Sequence, residues 1–146
     1  FVFTAMEEVG TRGAFGAAFS VTPEIALVLE GTTAADLPAL EPERQVCWAG
    51  KGPVLSWMDG GTIYDRELFE LLRSLAEKNN LPWQMKHYVS GGTDGKAVQR
   101  TKSGVRVAGI SAAVRYLHAP SSVCSISDAE QMLDLARLFV QAMAER

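Results

Sequence analysis

The sequence has little of what marks several large classes of protein. Its 146 residues include only two cysteines, Cys47 and Cys124, which are too few and too far apart for a disulfide framework or a zinc knuckle. No apolar run approaches the roughly 20 residues that a membrane helix needs, and no basic and apolar leader opens the chain. We therefore expect a cytoplasmic protein that neither spans a membrane nor is secreted.

A basic surplus is also missing. The 14 Lys and Arg residues stand against 17 Asp and Glu residues, the net charge is −3, and the basic residues are scattered along the chain. No basic stripe could follow a phosphate backbone, so nucleic acid is not an expected partner. The hydrophobic fraction of 47% is ordinary for a folded protein of this length and predicts one compact domain.

Apolar runs and helical patterns alternate along the chain. Strands are predicted at residues 1–6, 24–30, 54–58, 83–89 and 105–110. Helices are predicted at residues 13–19, at 65–78 with Asp65 as the N-cap, at about 91–102, and from Ser127 or Asp128 to the C-terminus. This alternation predicts an α/β fold in which a mostly parallel or mixed sheet lies between helical layers. Because the first strand has no polar lead-in, we expect further chain upstream.

Polar side chains stand at the carboxyl ends of three predicted strands, where α/β sheets gather their functional groups. Glu7 and Glu8 follow the first strand, Glu30 ends the second, and His118 lies beyond the strand at 105–110. Carboxylates and imidazoles are ligands of zinc, manganese and cobalt. Neighbouring side chains of an extended chain point in opposite directions, so one of the two adjacent glutamates could bind metal while the other handles a proton.

Each of these residues also has an ordinary interpretation. A Glu pair at a strand end can be a solvated pair, and Glu30 can mark the exit of its strand to solvent. His118 and His87 can both be histidines whose hydrogen bonds are satisfied within a loop or a strand.

Five blocks together resemble the glutamyl and tetrahedral aminopeptidases, a family of bacterial and archaeal metallopeptidases of which some members carry cellulase or endoglucanase labels. The blocks are residues 3–14, which include the motif Glu7-Glu8-Val9-Gly10, and residues 30–38, 50–53, 91–94 and 115–120. They follow the family's order over nearly the whole chain. The resemblance implies that residues 1–146 are the C-terminal part of a three-layer α/β/α zinc-peptidase-like catalytic domain, without its upstream part and inserted β-domain.

The resemblance also implies a function and a role for each matched residue. The intact protein would be a metal-dependent aminopeptidase that releases N-terminal residues from peptides with two divalent ions, zinc or cobalt. Glu7 would be the general base that activates the attacking water. Glu8 and His118 would share one metal, and Glu30, where many relatives have Asp, would bind the other. Lys51 and the 91–94 segment would lie near the substrate.

The family's site also needs a His and a bridging Asp from upstream, which this chain does not supply. We therefore expect the chain alone to hold at most one weakly bound ion and to be inactive, and the intact protein to be a homo-oligomer. Met6 stands where many relatives have Gln and Ser122 where they often have Glu, so the substrate preference of relatives does not transfer to this sequence.

Two other functions stay open at this stage. The chain could be a truncated, non-enzymatic module that self-associates through an orphaned sheet edge or apolar face. It could also be a glycoside hydrolase, as the endoglucanase labels suggest. Glycosidase carboxylates flank the scissile bond from opposite sides, about 5–9.5 Å apart, and consecutive residues such as Glu7 and Glu8 fit that geometry poorly.

Overall fold

The computed structural model describes residues 1–145, and five strands within them form one mixed sheet. The strands are β1 (Ile25–Thr33), β2 (Val54–Leu55), β3 (Gln84–Met85), β4 (Arg106–Arg115) and β5 (Val123–Cys124). The order is β1-β4-β2-β3, with β5 also paired to β4. Strands β1 and β4 are parallel, as are β2 and β3, whereas β2 and β5 run antiparallel to β4. The predicted α/β class with a mixed sheet is confirmed.

Four α-helices accompany the sheet. They are α1 (Arg12–Val21), α2 (Arg66–Lys78), α3 (Gly95–Gln99) and α4 (Ile126–Ala144), and a short 3-10 helix spans Pro42–Arg44. Helix α2 begins where the sequence predicts, because the Asp65 carboxylate accepts a hydrogen bond from the Leu68 N–H at 3.1 Å. Helix α4 begins before the predicted Ser127 or Asp128, because the side chain of Ser125 caps it by accepting from the Asp128 N–H.

Helices lie on both faces of the sheet, as the alternation of side chains along β4 shows. Ala108 and Ile110 point to α2 and α4 and pack in the main core with the fully buried Leu135. Val107 points the other way and packs in a smaller cluster with Val98 of α3. Helix α1 packs against α3 on this second side. This layered arrangement fixes the faces on which the polar residues at the strand ends project.

The predicted strand at residues 1–6 is wrong. The segment is not part of the sheet, and its side chains are exposed, those of Phe1 and Phe3 completely. A strand needs a neighbouring strand to pair its backbone, and none of those described lies beside this segment. Instead, the carbonyl of Ala5 accepts from the Gly13 N–H at the start of α1. The apolar run therefore forms an exposed surface that no other residues among 1–145 cover.

Other element boundaries also differ from prediction. Strand β3 stops at Met85 rather than reaching residue 89, because the His87 N–H donates to the Val46 carbonyl and the chain turns away from β2. Strand β1 continues past Glu30 to Thr33, where it pairs with Val114 of β4, and β4 continues to Arg115 because β5 pairs with it there. Helix α3 is shorter than predicted, and β5 was not predicted.

Two smaller findings concern membranes and thiols. Across the described residues, no helix is both long and apolar enough to cross a membrane. Cys47 is buried and Cys124 is exposed, and both are free thiols.

Candidate functional site

Strands β1 and β4 end side by side at a cleft of about 460 Å³ on the α3 side of the sheet. The two strands are parallel and in register, with Glu30 opposite Ser111, so their carboxyl ends meet at the same edge. The cleft is lined by all four residues that the sequence singled out, namely Glu7, Glu8, Glu30 and His118. The strand-end rule thus located the cleft, although the segment before Glu7 is not a strand.

Glu30 projects into the cleft near the end of β1. Its Oε1 accepts a hydrogen bond from the Gly31 N–H at 3.0 Å. The side chain is half-buried, and burial raises the pKa of its carboxyl, while the Gly31 amide opposes that rise. Glu30 is therefore a carboxylate whose charge is only partly compensated by this chain.

Glu8 and His118 meet at the mouth of the cleft. The His118 Nε2 lies 3.0 Å from the Glu8 Oε1, although both side chains are largely exposed. A tight turn after β4 presents the histidine, with positive φ angles of 59° at Tyr116 and 66° at His118. The Ala119 N–H closes this turn on the Tyr116 carbonyl at 3.0 Å. The two side chains are 110 residues apart in sequence and form the one direct contact among the four candidates.

Glu7 occupies the turn that leads into α1. Its carbonyl accepts from the N–H groups of Gly10 and Thr11 at 3.0 and 2.9 Å, which fixes the backbone at this position. Burial raises the pKa of the Glu7 carboxyl, and the negative charges of Glu30 and then Glu8 raise it further. Glu7 is thus a carboxylate shifted towards the range where it can take and return a proton.

Two lysines balance part of the negative charge. Lys86 and Lys96 both line the cleft. The Lys86 Nζ donates to the Ser90 carbonyl at 2.6 Å, and burial lowers the pKa of its ammonium group. The cleft therefore contains carboxylate groups together with two lysine side chains.

The model of the M42 glutamyl aminopeptidase family matches residues 1–135. The chain belongs to this family. The resemblance drawn from the five sequence blocks is confirmed.

Similar proteins carry the same fold but are longer. An aminopeptidase homologue from Acetivibrio thermocellus is 38% identical over 135 residues, which are 92% of this chain and 40% of that protein. The structure of aminopeptidase APDkam598 from the archaeon Desulfurococcus kamchatkensis has a TM-score of 0.90 at 34% identity, covering 93% of this chain and 39% of that one. The Pyrococcus horikoshii TET1 peptidase, which can assemble into a tetrahedron or a large octahedral shell, has a TM-score of 0.78 at 31% identity, covering 93% and 38%. The chain spans about 40% of the length of the curated relative.

The M42 cleft fits part of a divalent metal site. The carboxylate and imidazole atoms of Glu8 and His118 are 3.0 Å apart, a separation open to two ligands that each lie about 2.0–2.2 Å from one ion. Glu30 is a third oxygen donor in the same cleft. Within residues 1–145, however, no three His, Cys, Asp or Glu side chains come together as one metal-binding group. Glu8, His118 and Glu30 can each supply a ligand atom to a metal centre, but together they do not complete its coordination.

Lys51, residues 91–94 and His87 are the other positions that the sequence singled out. Residues 91–93 line the cleft, whereas Asp94, the last residue of the predicted segment, and the exposed Lys51 do not. His87 lies outside the cleft, where its ring meets Trp48 edge-on at 4.9 Å between centroids.

Sequence reasoning missed Asp59 and Tyr64, which also line the cleft. Both are buried, and the Tyr64 hydroxyl donates to Asp59 at 2.8 Å. Their signal in the sequence was the turn Asp59-Gly60-Gly61 between two apolar runs, which predicts a tight reversal but not its place at the cleft.

Proposed function

We propose that the complete protein is a metal-dependent aminopeptidase acting on peptides, and that this chain is the C-terminal part of its catalytic domain. The observation that carries the proposal is the meeting of Glu7 with the Glu8–His118 pair and Glu30 in one cleft. A base beside separate oxygen and nitrogen donors is the arrangement that hydrolysis of an unactivated amide needs.

Each side chain has one role in this proposal. Glu8 and His118 would hold one divalent ion, zinc or cobalt, and Glu30 would help to hold a second. Metal bound there would supply Lewis-acid polarisation of the scissile carbonyl. Glu7 takes a proton from the attacking water and returns it to the leaving amine, which its raised pKa favours.

The isolated chain is expected to be incomplete. It spans about 40% of its curated relative, and three separate donors leave two ions short of ligands. We therefore propose at most one weakly bound ion, and no turnover, for residues 1–146 alone. A cytoplasmic location belongs to the same proposal, since both thiols are free.

The experiment compares two substrate classes on the complete protein. We expect hydrolysis of amino-acid p-nitroanilides, loss of that activity with EDTA, and its return with zinc or cobalt. A cello-oligosaccharide is the control substrate for the glycoside hydrolase alternative. Cleavage of the sugar alone, or peptidase activity that persists in EDTA, would overturn the proposal.

A second role, self-association, is favoured by an uncovered apolar surface. Strand β1 pairs only with β4 among the described strands, so its other edge is open. The side chain of Phe15 on α1, the helix that precedes β1 in the sequence, is 60% exposed. Since the TET1 relative forms tetrahedral or octahedral shells, we propose that the complete protein is a homo-oligomer. The isolated chain should bury the open surface against a second copy.

Light scattering after size-exclusion chromatography tests this second role. We expect the isolated chain to elute larger than a monomer, and Phe15→Glu to shift it towards the monomer. The matched control is Ile126→Glu on α4, which changes an even more exposed side chain (78%) at another place and should have no effect. A monomeric wild-type chain would contradict the proposal.

A further inference from the structure

A buried carboxylate organises the turn that contains Asp59 and Tyr64. Asp59 is 4% exposed, and its carboxylate accepts three hydrogen bonds. Its Oδ1 accepts from the N–H groups of Gly61 and Thr62, both at 2.7 Å. Its Oδ2 accepts from the Tyr64 hydroxyl at 2.8 Å. The turn is therefore closed around one buried carboxylate group.

The same hydroxyl reaches across to the loop that borders the cleft. Because Tyr64 gives its only proton to Asp59, its oxygen must accept from the Thr93 hydroxyl, which lies 3.1 Å away. The Thr93 Oγ1 in turn accepts from the Gly95 N–H at 3.1 Å. Burial raises the pKa of Tyr64 above its usual range, so the hydroxyl keeps its proton. In this series of hydrogen bonds each group donates to the next, so the series leads from the loop to the buried Asp59.

Two glycines allow this close approach. The Gly60 N–H donates to the Gly91 carbonyl at 2.8 Å, and a Cβ on Gly60 would lie only 2.5 Å from that carbonyl oxygen. A Cβ on Gly109 of β4 would lie 2.7 Å from the ring of Tyr64. Bare backbone at these two places lets the turn contact the loop and lets the tyrosine ring fit against the sheet.

The loop held in this way is a wall of the cleft. Gly91, Gly92 and Thr93 line the cleft together with Glu7. At Gly92 a Cβ would meet nothing within 4 Å, so the cleft is open there. A peptide that reaches Glu7 enters a cleft whose shape depends on where this loop lies.

We propose that Tyr64 is a positioning residue, which holds the 90–95 loop in place through Thr93 and so sets how well the cleft binds a peptide. Its kinetic consequence rests on the proposed aminopeptidase function. The hydroxyl acts on the loop and not on the reacting atoms, so its loss should weaken substrate binding without slowing the chemical step.

The test is Tyr64→Phe in the complete protein, which deletes the hydroxyl and keeps the ring against Gly109. With a p-nitroanilide substrate, we expect KM to rise about fivefold to tenfold. This is the loss of substrate affinity that removal of one buried hydrogen bond can cause. We expect kcat to stay within about twofold. Tyr88→Phe is the matched control, because it deletes an exposed tyrosine hydroxyl beside the same loop and should change neither constant. An unchanged KM in Tyr64→Phe would leave only a structural role and overturn the proposal.

A second readout does not depend on activity. Amide hydrogen exchange over residues 90–97, followed by mass spectrometry, should be about tenfold faster in Tyr64→Phe than in the wild type or in Tyr88→Phe. Exchange should be slower in Asp59→Asn than in Asp59→Ala. The Oδ1 of the new Asn can still accept from the N–H groups of the turn, and its Nδ2 can donate to the Tyr64 oxygen. Unchanged exchange in Tyr64→Phe would refute the inference even if the protein cleaves no peptide. Failure of wild-type hydrolysis alone would refute only the proposed function.

Discussion

Replacing Glu7 by Gln is expected to remove peptide hydrolysis from the complete protein and to leave its metal content unchanged. Gln has the size of Glu but cannot take a proton from water, so the general base is lost while the cleft keeps its shape. General bases contribute about 100-fold to 10,000-fold to enzymatic rates, and we expect a loss in kcat of that order.

The surroundings of Glu7 explain why its loss should not disturb the metal. The Glu7 backbone is held by the N–H groups of Gly10 and Thr11, which the substitution leaves in place. The pair that we propose to bind metal is instead Glu8 with His118, whose facing atoms lie 3.0 Å apart. Glu7 acts as a base only when it is ionised, and burial raises its pKa. The kcat/KM of the wild type should therefore fall as the pH drops through that raised pKa.

The measurement pairs steady-state kinetics with metal analysis by mass spectrometry on the same samples. Glu8→Gln is the matched variant, since it makes the same change one residue away and is expected to lose bound metal as well as activity. If Glu7→Gln loses metal and Glu8→Gln retains it, the two roles are exchanged and the assignment is refuted. If Glu7→Gln keeps full activity, Glu7 is not the base.

Local patterns account for the parts of the fold that the sequence predicted. Helix α2 was predicted with its N-cap because both signals are local in the sequence. Its apolar residues recur at helical spacing, and Asp65 caps its first turn. The cleft was located because parallel strands bring their carboxyl ends together, and Glu30 and His118, which were predicted to follow such ends, both line it. These predictions need only the period of the pattern and the direction of the strands.

The failures involve contacts between distant segments. An apolar run such as residues 1–6 indicates burial, but whether it becomes a strand depends on a neighbour that its own residues do not specify. Strand β5 has two residues and exists because Val114 and Arg115 pair with it. The place of Tyr64 depends on Thr93, 29 residues away, and on space left by Gly109. No pattern within one segment of the sequence predicts that the segments of Tyr64, Thr93 and Gly109 come into contact.

Asp128 shows the same limit and leads to the largest stability effect that we expect. It is completely buried in the first turn of α4, where the sequence predicted only the start of the helix. Its Oδ2 accepts from the Gly50 N–H at 2.7 Å and its Oδ1 from the Gly52 N–H at 3.0 Å. The carboxylate thereby ties α4 to the loop before β2, and its charge is favourable near the helix N-terminus.

Asp128→Ala should lower the free energy of unfolding by about 2–4 kcal/mol, because it removes two charged hydrogen bonds and leaves the buried Gly52 N–H without a partner. Gly52 cannot turn away, since its φ is +91° and a Cβ there would already lie 2.6 Å from the Pro82 carbonyl. The control is Asp134→Ala on the same helix, where an exposed carboxylate meets Arg137 at 3.4 Å and should contribute less than about 0.5 kcal/mol. Urea unfolding followed by circular dichroism compares the variants with the wild type. Equal losses in both would mean that the two buried bonds contribute no more than an exposed ion pair, and that the loop is held to α4 by other contacts.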